Sequence, residues 1–312
     1  MNKKDLNLIF MGTPQIAADV FEAMILDGYH FVALIAQPDK PVGRKAVLEK
    51  VPTKIIAEKY NIPCFQPLKI RKDYEFVKTL NPDCIITLAY GQIVPQGLLD
   101  IPQYGCINLH GSLLPKYRGA APIQYALING DQVTGVTLME MIDKMDAGRM
   151  YAKKEVVISN DDNSTTLFKK IGNAAKELIL DALPKYINGE LKGEIQDESG
   201  VSFAPTIKPE EEKINFNLPI KNIVGWINAL SDHPGAYTFI DGKKIKIFKA
   251  KILNLNKTDD NKKIIEADKN GLVIQCVDGQ LSVLELQKEG KKRMDYRSFI
   301  NGNPNLKGLF VD

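Results

Sequence analysis

A strand, a tight turn, a helix and a second strand open this chain, and no other stretch restricts its fold as much. Residues 6–11 form a short apolar run, which Gly12-Thr13-Pro14 then turns. Over 16–27, Ile16, Val20, Ala23 and Met24 recur on one helical face, and 31–36 is a second apolar run. Strand, helix, strand is the opening of a parallel α/β sheet, so a Rossmann-like N-terminal domain is predicted. Further buried strands are predicted at 84–88, 105–110 and 134–141, with helices at 51–60, 73–80 and 123–129. A longer helix is predicted over 165–188, where Leu167, Ile171, Ala175, Leu178 and Ala182 follow the helical period.

The pattern changes after Gly189. Residues 190–209 mix glycine, proline and charge and read as a linker, which leaves a first domain over 1–189 and a second over 210–312. In the second, Asp241-Gly242 and Asp278-Gly279 each sit between apolar-alternating runs, the sequence mark of a tight hairpin. A short helix around Trp226 and strands at 236–240, 243–252, 271–276 and 281–286 predict a small β-barrel.

Composition excludes several classes. With 312 residues, 44% hydrophobic and 25% charged, the chain can build a large core without a structural metal or disulfide. Cys64, Cys84, Cys106 and Cys276 are widely spaced and read as reduced thiols. The first apolar stretch is stopped by Gly12 and Pro14, so it is no signal peptide, and no apolar run is long enough to span a membrane. A cytoplasmic monomer is expected. The net charge of +3 does not announce a nucleic-acid partner, although the C-terminal part is rich in lysine.

Among the three histidines, His30 and His233 lack companions that could make a site, and no ligand cluster has metal spacing. His110 differs. It ends an apolar run, and Asn108 lies on the same face of the strand by the period of two. In parallel sheets ligands bind beyond the carboxyl ends of strands. The following stretch, 112–123, mixes proline, glycine, small residues and two cations, without helical or strand period until Ile123. The loop 141–148 adds the carboxylates Asp143 and Asp146, either of which could orient the imidazole. An amide, an imidazole and a carboxylate suit acyl transfer: donors for a developing oxyanion and a group that moves protons. No G-x-S-x-G nucleophile is present, so direct attack by an external amine is favoured over an acyl-enzyme. Gly12-Thr13-Pro14 matches no phosphate-binding pattern and reads as a tight turn at the edge of the cleft.

Asn108-Leu109-His110-Gly111-Ser112-Leu113-Leu114-Pro115, continued by Arg118-Gly119-Ala120-Ala121-Pro122-Ile123, resembles the signature of the 10-formyltetrahydrofolate-dependent formyltransferases. The loop 143–148 is similar to the one that holds that family's aspartate, and the match selects Asp146. Met11-Gly12-Thr13-Pro14, Gln37-Pro38-Asp39-Lys40-Pro41-Val42-Gly43-Arg44, Phe65-Gln66-Pro67 and Gly290-Lys291-Lys292 fit the branch acting on initiator methionyl-tRNA.

The resemblance covers nearly the whole chain. It implies an OB-like C-terminal domain, 10-formyltetrahydrofolate as formyl donor, no metal, and catalytic roles for Asn108, His110 and Asp146. It also implies a donor pocket bordered by Tyr90, Gly91, Ser112, Leu113, Leu114 and Pro115, and tRNA contacts from Arg44, Lys291 and Lys292. One departure stands out: relatives often carry a denser basic stretch where this chain has Ala46-Val47-Leu48-Glu49 after Arg44-Lys45. A formyltransferase for a small amine and a non-catalytic RNA-binding module are the rival readings. The arginine loop and lysine-rich second domain oppose the first, and the Asn108, His110, Asp146 set opposes the second.

Overall fold

The protein is described by a computed structural model over residues 3–42, 47–255 and 260–312. It divides into two compact units, one of 1–122, 134–157 and 168–205, the other of 123–133, 158–167 and 206–312.

The first unit is built on β1 (Leu8–Gly12), buried along its whole length as a central strand covered on both faces must be. After it come α1 (Gln15–Leu26), β2 (Phe31–Ile35) and a small antiparallel hairpin of β3 (Lys40–Val42) and β4 (Val47–Glu49). Next are α2 (Pro52–Lys59), β5 (Cys64–Phe65), α3 (Phe76–Thr79), β6 (Cys84–Leu88), α4 (Gln96–Leu99) and β7 (Cys106–His110). The chain continues through α5 (Pro122–Ile128), β8 (Val133–Glu140), β9 (Met150–Val157) and α6 (Ser164–Ile187). The seven-stranded sheet has the order β5-β2-β1-β6-β7-β8-β9.

From β5 to β7 the strands are parallel, as predicted, but β8 runs antiparallel to β7. An antiparallel neighbour needs no crossover on the sheet face, and a buried apolar run reads the same in either direction. The helix predicted over 73–80 is reduced to Phe76–Thr79. β9 was not anticipated, because Lys153, Lys154 and Glu155 give it the polar character of an edge strand.

The second unit packs α7 (Ile220–Ala229) against an antiparallel sheet. Its strands are β10 (Ala236–Ile240), β11 (Lys243–Asn254), β12 (Ile264–Ala267), β13 (Leu272–Cys276), β14 (Gly279–Lys288) and β15 (Met294–Asp295), followed by α8 (Tyr296–Asn301). Asp241 and Gly242 form the β10–β11 turn with φ of 49° and 69°, the left-handed pair that a two-residue hairpin requires. At the second predicted turn the register differs. Cys276 pairs with Gly279, so Val277 and Asp278 make the turn and Gly279 starts β14. A side chain on Gly279 would lie 2.5 Å from the Asn254 carbonyl, which accounts for the glycine there. Asp278 accepts from the Ile220 N–H at 2.8 Å and so caps α7. Bridges from Val311 to Ile240 and from Phe310 to Lys263 tie β10 to the start of β12, joining the two ends of the strand order.

Candidate active site

β7 carries Asn108, half-buried, and His110, 5% exposed, to the carboxyl end of the parallel strands. The loop beyond has no regular structure and is held by its own polar groups and by side chains of β8 and β9. Ser112 N–H donates to the His110 carbonyl at 2.9 Å, and the Ser112 hydroxyl donates to the Lys116 carbonyl at 2.6 Å. Thr137 on β8 donates to the Ser112 carbonyl at 2.7 Å and accepts from Leu114 N–H at 3.1 Å. Lys153 on β9 donates to the Leu114 carbonyl at 2.7 Å. Of the loop residues read as a donor-pocket border, Ser112 and Leu114 are fully buried, and Leu113 and Pro115 are half-buried.

The imidazole of His110 stands between two acceptors. Nε2 lies 2.8 Å from the Tyr117 carbonyl, and Nδ1 lies 3.6 Å from Asp146 Oδ2. The same carboxylate oxygen accepts from the Gly119 N–H at 2.8 Å. Tyr117 (φ 63°) and Asp146 (φ 49°) both adopt left-handed backbone, at a cost on the order of 1–2 kcal/mol per residue. Gly119, at φ 124°, lies so close to the chain that a side chain there would be 2.7 Å from the Ala204 carbonyl. Asp143, the other carboxylate of its loop, is exposed.

A segment read as linker is fastened to this site. Glu194 and Met150 exchange two backbone bonds of 2.8 Å, and Arg118 pairs through its main chain with Ser202 and Ala204 at 2.9 and 2.8 Å. Arg118 is 1% exposed. Its Nε donates to Gln196 Oε1 at 3.0 Å and its Nη2 to Glu198 at 2.9 Å, and this bond holds the Glu198 carboxyl below its ordinary range. Gln196 Nε2 donates to the carbonyls of Asp146 and Gly148, at 2.8 and 2.9 Å. Sequence reasoning missed Gln196, and no period or motif marks it.

On the neighbouring strand ends, the Tyr90 carbonyl accepts from Thr13 Oγ1 at 3.2 Å and from Gln37 Nε2 at 3.1 Å. The tips of β1, β2 and β6 are thereby stitched together. Gly12, where a side chain would come within 2.8 Å of Leu88 O, is the close-packed turn its sequence suggested. Tyr90 is buried, and burial pushes its phenol up; Gly91 is exposed with φ 89°. Gln92 accepts from Ile70 N–H at 2.9 Å and borders a cavity of about 240 Å³ lined also by Lys69, Arg71, Lys72 and Ile93.

Arg44 lies outside the described residues. The β3–β4 hairpin is anchored at Asp39, which accepts from Lys54 at 2.5 Å, Gln66 at 2.8 Å and Val51 N–H at 3.2 Å. Burial works to raise the Asp39 carboxyl, but these donors together hold it below its ordinary value, and the same bond raises the Lys54 ammonium. Lys291 and Lys292 are exposed beyond the Gly290 turn in the second unit. All four thiols are free; burial pushes Cys64 up to about 11 and Cys276 up to about 12. Among the described residues, no His, Cys, Asp and Glu group could hold a metal ion, and no helix is long and apolar enough to cross a membrane.

The family model described as formyl transferase matches residues 6–183, and that of the formyl transferase C-terminal domain matches 206–304. This chain belongs to the formyl transferase family. It is 44% identical over 304 residues to a protein of Malacoplasma penetrans named methionyl-tRNA formyltransferase, covering 97% of this chain and 96% of that one. A protein of the same name from Lactobacillus johnsonii is 44% identical over 299 residues, covering 95% of each.

Solved structures share the fold. HypX from Aquifex aeolicus in complex with tetrahydrofolic acid superposes with a TM-score of 0.66 at 15% identity, over 98% of this chain. This chain spans 49% of the HypX chain. An N-formyltransferase from Helicobacter canadensis, in complex with folinic acid and dTDP-3-aminofucose, has a TM-score of 0.66 at 20% identity, over 91% of this chain and 99% of that one.

Proposed function

We propose that this chain transfers the formyl group of 10-formyltetrahydrofolate to the free amino group of initiator methionyl-tRNA. The observation that carries the reading is the 44% identity to a protein named methionyl-tRNA formyltransferase across 97% of the chain. The amine nitrogen attacks the formyl carbon, the carbon–N10 bond breaks, and the proton lost by the amine ends on the departing N10. As attack proceeds, negative charge gathers on the formyl oxygen. The Asn108 amide donates to it, and His110 Nε2, exchanging the Tyr117 carbonyl for the substrate while Nδ1 stays toward Asp146, stabilises it and moves the proton. Asp146 orients the imidazole and balances its charge. No covalent enzyme intermediate is needed.

The donor occupies the strand-end groove bordered by Tyr90, Gly91 and residues 112–115, with the cationic rim at Lys69, Arg71 and Lys72 suited to the acidic end of a folate. Residues 1–189 carry the chemistry, and 210–312 dock the acceptor, with Lys291 and Lys292 on tRNA phosphates. Arg44 meets the acceptor end, where a guanidinium can hold phosphate bidentately or stack on a base. The protein acts as a cytoplasmic monomer.

One assay tests the reading. Purified protein is given 10-formyltetrahydrofolate with methionylated initiator tRNA in one vessel and an amino-sugar nucleotide in another. Formylation of the tRNA alone is expected. Preference for the sugar would overturn the assignment of the acceptor.

A further inference from the structure

Gln196 lies in a stretch whose composition reads as a linker, yet it is only 4% exposed. A buried primary amide must satisfy two N–H groups and a carbonyl oxygen. Here Nε2 faces the Asp146 and Gly148 carbonyls, and Oε1 faces Nε of Arg118. Arginine only donates and carbonyls only accept, so the amide has one possible orientation. Both carbonyls it holds belong to the loop that presents Asp146.

That loop needs holding. Asp146 is in left-handed backbone, and Gly148 is so tightly placed that a side chain would lie 2.0 Å from the Glu140 carbonyl. The rest of the circuit returns to the same carboxylate. Arg118, held by Gln196 through its side chain, is followed by Gly119, whose N–H donates to Asp146 Oδ2 at 2.8 Å. Arg118 is preceded by Tyr117, whose carbonyl lies 2.8 Å from His110 Nε2. One amide thus ties together the two backbone segments that fix the carboxylate and the imidazole.

We infer that Gln196 is a positioning residue for formyl transfer, setting the Asp146 carboxylate against His110 without touching either substrate. The inference rests on the roles proposed above for His110 and Asp146. It does not follow from burial alone, since a purely structural amide would have no reason to act through the carboxylate.

The test uses the full chain with Gln196→Met and Gln196→Glu, each alone and combined with Asp146→Asn. Gln196→Glu keeps the shape of the side chain and its acceptor for Arg118, where its charge is paired, but turns the two donations into a carboxylate oxygen facing the Asp146 and Gly148 carbonyls. It therefore carries the test if Gln196→Met fails to fold. Displacing the carboxylate by a fraction of an ångström to one ångström is expected to lower kcat by roughly 10- to 100-fold. KM for the donor and for methionyl-tRNA should stay within about twofold, because neither substrate meets Gln196. In the Asp146→Asn background the Gln196 changes should add almost no further loss, as coupled members of one unit do. Normal kcat in both Gln196 variants overturns the inference, and so does an undiminished extra loss in the Asp146→Asn background. Normal turnover in Asp146→Asn alone is a different failure: it removes the role of the carboxylate and, with it, this inference.

Discussion

The main-chain oxygen of Tyr117 lies 2.8 Å from His110 Nε2, so that ring nitrogen carries a hydrogen in this contact. A carbonyl can only accept, so Nε2 donates, and Nδ1 is left facing Asp146 at 3.6 Å. The separation exceeds a hydrogen bond, as catalytic contacts often do before substrate binds. His110→Ala removes the group that moves the proton and should lower kcat by about 10²–10⁴-fold. Asp146→Asn keeps the shape of the side chain and loses its charge, and about 10²-fold is expected there. Formylation kinetics at saturating donor measure both. Turnover near that of the unaltered protein in His110→Ala would show that the imidazole has no part in the chemistry.

Gly119 is the second sensitive point. Its backbone is left-handed and its N–H holds Asp146, while the space for a side chain is taken by the Ala204 carbonyl at 2.7 Å. Gly119→Ala should therefore cost about 1–3 kcal/mol of stability and most of the turnover together. Thermal melting and kcat measured on one preparation test this. A variant that melts normally and works normally would mean that the backbone has another conformation there.

Asp39 gives a pH dependence of stability. Its carboxyl is lowered in the folded protein, so its contribution is present above the unfolded value of about 3.9 and lost as pH falls through the folded one. Lys54 is raised, so its share is present below about 10.4 and lost as pH climbs through its folded value. Asp39→Asn should accordingly destabilise by about 1–3 kcal/mol at neutral pH. Toward pH 3 the difference from the unaltered protein should shrink. Melting curves of both proteins across this range decide it; a constant difference at every pH would exclude the ion pair as the cause.

The segments read most readily from sequence are those whose environment is uniform. β1, β6 and β7 are apolar because the sheet covers them, and Asn108 with His110 follows from strand geometry alone. The direction of β8 was not legible, since a buried apolar run looks the same in either sense. The polar edge strand β9 was missed for the opposite reason. Between Asp143 and Asp146 residue type gives no choice; Asp146 meets His110 because tertiary contacts hold it in left-handed backbone. Gln196 was invisible because the carbonyl it holds is 50 residues away.

Salt separates phosphate contacts from a merely solvated surface at Lys291 and Lys292, which are exposed in either case. Each phosphate neutralised steepens the fall of log K with log salt by about 0.7–0.9. Reversing both charges should flatten the slope for tRNA by about 1.4–1.8 and weaken binding at low salt. Filter binding from low to moderate ionic strength gives the slope. An unchanged slope would place the tRNA elsewhere.

The bonds that build the site also set an order of events in time. Gln196 reaches back 78 residues to Arg118, Ser202 reaches back 85 to Tyr117, and both are made by segments outside the central strands. Closing loops of that length costs entropy that must be met before the contact returns anything, and such contacts slow folding. Neighbouring pairs such as β1 with β2 need far shorter closures. The pairing of β1 with β6, Leu8 against Cys84, closes a loop similar in length to that of Gln196 with Arg118, so a refolding chain should regain its helices and locally paired strands first and its capacity to transfer formyl groups last. Stopped-flow circular dichroism, run beside quenched samples assayed for turnover, would show the lag. Until the 190–205 segment has settled, the chain has a sheet but no seat for its carboxylate.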